Sequence, residues 1–216
     1  MVVFFDLDGT LTDPFEGITR SVQFALAHFG IDVADRTELA PYIGPPLRES
    51  FIARHGLSDE QADEALRQYR VRFSDVGMFE NRVYDGVEMM LRALREQGVR
   101  LAVATSKPTV FSVKILEHFG LAHYFEEIVG SELSGHRVEK AEVIAEAMMR
   151  LNVSAEDVWM VGDRCFDIEG AHQNGMRAVG VRYGYAETDE LERAEAEHIV
   201  DTVEQLQRFL LEENEK

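Results

Sequence analysis

Asp6-Leu7-Asp8-Gly9-Thr10 sets two acids, a glycine and a hydroxyl directly after Val2-Val3-Phe4-Phe5. That short β-branched and aromatic run has the composition of a buried parallel strand. Two positions apart near a strand end, Asp6 and Asp8 tend to point their carboxylates the same way. Close carboxylates repel, and burial raises their cost, so a cation is expected between them. Gly9 permits a sharp turn and Thr10 adds a hydroxyl. A magnesium ion with a phosphate group accounts for this arrangement; a helix N-cap or an Asx-turn accounts for one such aspartate alone.

Three further spots carry chemistry at strand ends. Thr105-Ser106-Lys107-Pro108 follows the run Val99–Ala104. Hydroxyls leading into a helix N-terminus bind phosphate through O–H and backbone N–H groups, or simply cap the helix. Gly162-Asp163-Arg164-Cys165-Phe166-Asp167 follows Val158–Val161 and brings two more acids to the same edge. Asp163-Arg164 reads either as part of a site or as a surface ion pair. Lys140 is one of only four lysines, with Lys107, Lys114 and Lys216, in a chain that otherwise takes its positive charge from arginine. It stands among acids at a helix start, where the macrodipole slightly disfavours a cation. A compact ammonium bridging a carboxylate and a phosphate would justify that placement, and a solvated helix flank is the alternative.

The elements that must position these groups alternate. Strand-like runs recur at Val99–Ala104, Glu127–Gly130, Val158–Gly162, Ala178–Val181 and His198–Val200, with helices expected at about 85–97, 108–119 and 139–151. Asp85 is expected to cap the first of these helices, and Pro108 to sit in the first turn of the second. Such alternation implies an α/β fold, a doubly wound parallel sheet covered on both faces. From Pro14 to about Phe79 the chain reads as helices only: 16–29, 36–39, 46–55, and 58–76 with a Ser58…Gln61 capping box. No strand is expected between Asp8 and Val99. The economical arrangement is a core of residues 1–13 and 81–216 with a helical cap, 14–80, rising from the C-terminal end of the first strand.

The 216 residues include 45% hydrophobic and 29% charged, and 22 basic against 40 acidic side chains leave a net charge of −18. That balance argues against nucleic acid or an anionic membrane as partner. The single cysteine, Cys165, excludes an internal disulfide and fits a reducing compartment. With no basic leader and no run near the ~18 apolar residues of a membrane span, a cytoplasmic location is expected.

Taken in order, the four motifs resemble those of the haloacid-dehalogenase-like hydrolases, in the phosphoglycolate-phosphatase-like branch with a helical cap after the first motif. The resemblance covers essentially the whole chain and implies a Rossmann-like core. One departure is Ala141 after Lys140, where many relatives have proline. The resemblance implies a magnesium-dependent phosphomonoester hydrolase for a small phosphorylated metabolite, phosphoglycolate or a nucleoside 5′-monophosphate, working as a monomer or homodimer. It further implies Asp6 as nucleophile forming an aspartyl-phosphate and Asp8 as general acid–base. Magnesium would be held by Asp6, Asp163 and the Asp8 carbonyl, with Asp167 orienting a metal-bound water. Thr105 and Lys140 would hold phosphoryl oxygens, helped by Gly9, Thr10 and the Ser106 N–H; Lys107 is the rival for the Lys140 role. Arg48 is the cap residue expected to meet a substrate anion. Dehalogenation has no use for Asp8, and phosphonate cleavage needs a cap lysine, absent before Lys107. A sugar-phosphate mutase and a non-catalytic partner-binding domain are the remaining alternatives.

Overall fold

A computed structural model describes residues 1–216. The chain divides into two compact units, Met1–Asp13 with Val83–Lys216, and Pro14–Arg82. The first unit begins with β1 (Val2–Phe5), whose Val3, Phe4 and Phe5 are fully buried. After the Asp6–Leu11 loop comes β2 (Thr12–Asp13).

The second unit is helical. It holds α1 (Phe15–Ala27), a 3-10 segment at Arg36–Tyr42, α2 (Leu47–His55) and α3 (Asp59–Asp75). Its core includes the fully buried Phe51 and Phe73, with Tyr42 packed 5.2 Å from the Phe51 ring. The capping box at the start of α3 forms: Gln61 N–H donates to the Ser58 hydroxyl, and Ser58 N–H to the Gln61 side chain. Near the C-terminus of α3, Arg72 makes a half-buried pair with Glu80 at 2.7 Å.

The chain re-enters the first unit through β3 (Arg82–Val83), which pairs with β2 as a two-stranded ribbon. The stretch from Asp8 to Val99 therefore contains strands after all. Both are two residues long, too short to show a period of two. Helix α4 (Val87–Glu96) follows, and its N-cap is the left-handed Gly86 rather than Asp85. Then come β4 (Arg100–Pro108), α5 (Thr109–His118), β5 (Glu127–Ser131), α6 (Lys140–Leu151), β6 (Val158–Gly162), α7 (Cys165–Gln173), β7 (Arg177–Val181), α8 (Glu190–Arg193), β8 (His198–Val200) and α9 (Val203–Asn214).

Six strands form one sheet in the order β5-β4-β1-β6-β7-β8, every pair parallel. The first strand is thus central, with Phe5 in register with Val103 of β4 and Val161 of β6. On one face Val2 and Phe4 pack with Val143, Ile144 and Ala147 of α6 and Ile168 of α7. The winding reverses around β1, and the C-terminal strand ends there are where open α/β sheets bind ligands. Strand β4 runs on through Thr105-Ser106-Lys107, so Pro108 is the N-cap of α5 and not a first-turn residue. Between Thr105↔Gly130 and Pro108↔Ser131 the β4–β5 register slips, so Ser106 and Lys107 form an irregularity opposite a single step of β5.

Phe4 anchors the strand that carries the first motif. Phe4→Ala is expected to cost about 3–5 kcal/mol, seen as a lower urea midpoint with an unchanged slope.

Candidate active site

The strand order brings the sequence motifs to one edge. Asp6 continues β1, its N–H bonding Val161 O at 2.9 Å, and so lies between the ends of β4 and β6. After it the chain folds tightly: Leu11 and Thr12 N–H groups both donate to Leu7 O at 3.0 Å. Gly9 sits at φ +83°, and a Cβ there would lie 2.1 Å from an Asp163 carboxylate oxygen. The turn and the close approach both demand glycine.

Asp6, Asp163 and Asp167 are buried, and one carboxylate oxygen from each lies within 4.8 Å of the others. Lys140, from the first turn of α6, is the cation among them. Its Nζ is 2.8 Å from Asp6 and 2.6 Å from Asp167, and donates to Ala104 O at 3.1 Å. Burial works against the lysine charge, but the Asp167 and Asp6 carboxylates outweigh it and hold the ammonium above its ordinary value. Its stem passes Gly170 of α7, where a Cβ would come within 2.8 Å of Lys140 Cγ.

Asp8 belongs to a different pair. Lys107, carried out by the irregularity in β4, places its Nζ 2.7 Å from Asp8 Oδ2, both side chains nearly buried. Burial outweighs this contact and leaves the Asp8 carboxyl above its usual range. Its other oxygen, Oδ1, is buried with no hydrogen-bond partner.

Thr10 donates to Asp163 at 3.3 Å, so its hydroxyl is tied to a carboxylate. Thr105 is buried, and its hydroxyl oxygen accepts from Lys107 N–H at 3.3 Å. The Ser106 carbonyl accepts from the Ser131 hydroxyl at 2.7 Å. Asp163 does not pair with Arg164: it is fully buried, while Arg164 turns to Glu190 at 2.8 Å. Arg48, in the helical unit, pairs with Asp59 at 2.6 Å and Asp63 at 2.7 Å.

The donor set fits a hard divalent cation. With all four ionised, Asp6, Asp8, Asp163 and Asp167 would outnumber the ammonium groups of Lys107 and Lys140 in a buried site, a surplus that a divalent cation would offset. Asp163 is held well above the carboxylate range by burial and by Asp167 and Asp6. Burial likewise pushes Asp167 up to about 6. An all-oxygen cluster of few carboxylates suits magnesium.

Sequence reasoning missed the residues behind this cluster. Tyr185 N–H donates to Asp163 at 2.8 Å, Tyr183 O–H donates to Thr10 O at 3.0 Å, and the Tyr185 phenol bonds Asp13. The available signal was an aromatic-Gly-aromatic triplet just past β7, at the same sheet edge.

The parallel sheet with buried acids and lysines at its strand ends is an α/β fold with a candidate metal and anion site. The profile of the haloacid dehalogenase-like hydrolases matches residues 3–181, and the chain belongs to that family. Within it the chain is a phosphatase. It is 46% identical to a 5′-nucleotidase of Pseudomonas aeruginosa over 96% of this chain and 94% of that one. It is also 42% identical to tyrosine-protein kinase PtkA of Mycobacterium tuberculosis, covering 89% of this chain but 65% of that longer protein. Among solved structures, one titled a predicted phosphatase from Clostridium acetobutylicum aligns with TM-score 0.95 and 49% identity, covering 98% of each chain.

Because the Asp167 carboxyl is raised from 3.8 to about 6, the fold binds this proton more tightly than the unfolded chain. Its stabilising contribution is complete below about pH 4 and is lost as pH rises through about 6. Magnesium, favouring the ionised cluster, is therefore expected to raise the melting temperature more at pH 7.5 than at pH 5. Scanning calorimetry with and without the ion checks this.

Proposed function

We propose that this protein is a magnesium-dependent phosphomonoester hydrolase that works through an aspartyl-phosphate on Asp6. The observation that carries it is the separation of the two motif acids. Asp6 lies in the carboxylate cluster beside Lys140, and Asp8 stands apart on Lys107 with a raised pKa. Two carboxyl groups in different environments suit one nucleophile and one acid–base group.

Asp6, Asp163 and the Asp8 carbonyl would hold magnesium, with Asp167 acting on it through a water. Bound there, the ion supplies charge neutralisation for the phosphoryl oxygens. Asp6 attacks phosphorus with one carboxylate oxygen while Lys140 fixes the carboxylate's orientation. Asp8, protonated at the start, gives its proton to the departing alkoxide and then takes one from the water that opens the acyl phosphate. Lys107 sits where it can orient Asp8 and draw the substrate's negative charge. Thr105 and the backbone of Ser106 cradle the phosphoryl group. The buried setting of these residues excludes competing water.

For the substrate we favour nucleoside 5′-monophosphates over phosphoglycolate. The support is the near full-length similarity to a protein named 5′-nucleotidase. A phosphorylated metabolite and a single cysteine both suit a cytoplasmic enzyme.

Phosphate release from a panel of nucleoside 5′-monophosphates, phosphoglycolate and hexose phosphates, with and without magnesium, tests this. Asp6→Asn is expected to abolish turnover, and Asp8→Asn to lower kcat by about a hundred- to ten-thousandfold. Undiminished turnover by Asp6→Asn would remove the nucleophile assignment. Movement of phosphate between hexose positions with little release would make the protein a mutase.

A further inference from the structure

The loop between β6 and α7 must present Asp163 and Asp167 at fixed spacing, yet only part of its restraint is internal. Inside the loop, Arg164 N–H donates to Asp167 Oδ2 at 3.0 Å. Two of the three residues between the acids also reach away from the cluster. Arg164 Nε and Cys165 N–H both donate to Glu190 Oε1 at 2.8 Å, and Glu190 Oε2 accepts from Glu187 N–H at 2.7 Å.

Glu190 and Arg164 are both buried, at 6% and 8% exposure. Burying such a pair seldom adds net stability over apolar side chains of equal volume. A pair retained under that handicap invites a role beyond stability. Three donors satisfy the carboxylate; they outweigh its burial and hold it below the usual glutamate range. The same donors tie consecutive loop residues to a single side chain. The connection is continuous with the hold on Asp163, since Tyr185 N–H bonds that carboxylate five residues before Glu190.

We propose that Glu190 is a positioning residue for the metal centre. Through Arg164 and the Cys165 N–H it fixes the separation of Asp163 and Asp167. The inference rests on the metal-site reading above. Glu190 touches neither cluster acid, so it acts only through the loop. Cys165 takes no chemical part: burial and the Glu190 carboxylate push its thiol up to about 12.

The experiment is a titration of the metal-free full-length protein with Mn²⁺, followed by electron paramagnetic resonance of the free ion, with melting curves alongside. Glu190→Gln keeps an oxygen for two donors but loses the charge and the bond from Glu187. It is expected to weaken Mn²⁺ binding about tenfold, in the range known for partners of metal ligands. Saturating magnesium should restore most of its kcat, so that the loss appears in metal affinity. Arg164→Gln, which removes the guanidinium from the other side, should shift the midpoint in the same direction. It serves as the reporter if Glu190→Gln does not fold. Arg72→Gln breaks the Arg72–Glu80 pair of the helical unit and should lower the melting temperature without moving the Mn²⁺ midpoint. Wild-type Mn²⁺ affinity in folded Glu190→Gln and Arg164→Gln would overturn the proposal and leave the metal site standing. Failure of the wild-type protein to bind Mn²⁺ would remove both.

Discussion

Lys140 is the constraint around which the site is arranged. Its ammonium is buried, and three oxygens, from Asp6, Asp167 and Ala104, surround it. A buried ammonium is tolerable only when paired in this way. Each partner comes from a different element: the end of β1, the first turn of α7, and the body of β4. The lysine itself opens α6, so one side chain ties four elements together. Gly170 leaves the space its stem requires. The exchange runs in both directions, because the carboxylates that keep Lys140 charged are themselves too many for it. The leftover charge is what makes the cluster receptive to a divalent cation.

The second lysine solves a different problem. A regular β4 would place Lys107 according to the pleat of the sheet, on one face or the other. The slip in register opposite Gly130 and Ser131 interrupts that rule and leaves Lys107 beside Asp8. Gly130 is part of the same device, because a Cβ there would lie 2.2 Å from Lys107 O. Irregularities of this sort are common where a sheet must re-aim a side chain. Here the result is that each motif acid has its own ammonium, and the two are chemically distinct.

Much of this was legible in the chain. The alternating strands and helices imply the parallel sheet, and the long helical stretch after Pro14 implies the separate unit. Three of the four motifs fall at the ends of β1, β4 and β6, and the fourth, Lys140, opens α6. What could not be read was partnership. Sequence puts Lys140 in the phosphate-binding role with Lys107 as its rival, whereas the strand order and the β4 irregularity bring both to the site, Lys140 on Asp6 and Lys107 on Asp8. The ribbon of β2 and β3 is too short to leave a pattern, and α4 starts after a left-handed Gly86 with no side-chain cap, so Asp85 has no capping role there. Thr10 is a hydroxyl that reads as a phosphate ligand but is spent on Asp163. Glu190 looks like one acid among forty, and its burial follows from a tertiary approach that no local signal records.

The central place of β1 has a consequence for how the chain comes to be folded. Val2 to Phe5 pair with residues 100–103 on one side and 158–161 on the other, all far along the chain. These residues must therefore wait, apolar and incompletely paired, until residues 158–161 have been synthesised. The helical unit, which spans only Pro14–Arg82, waits for less of the chain. Topologies dominated by distant pairings fold slowly and expose sticky edges meanwhile. The geometry that sets Asp6 at the heart of the sheet thus leaves Val2-Val3-Phe4-Phe5 a segment in need of protection on a ribosome.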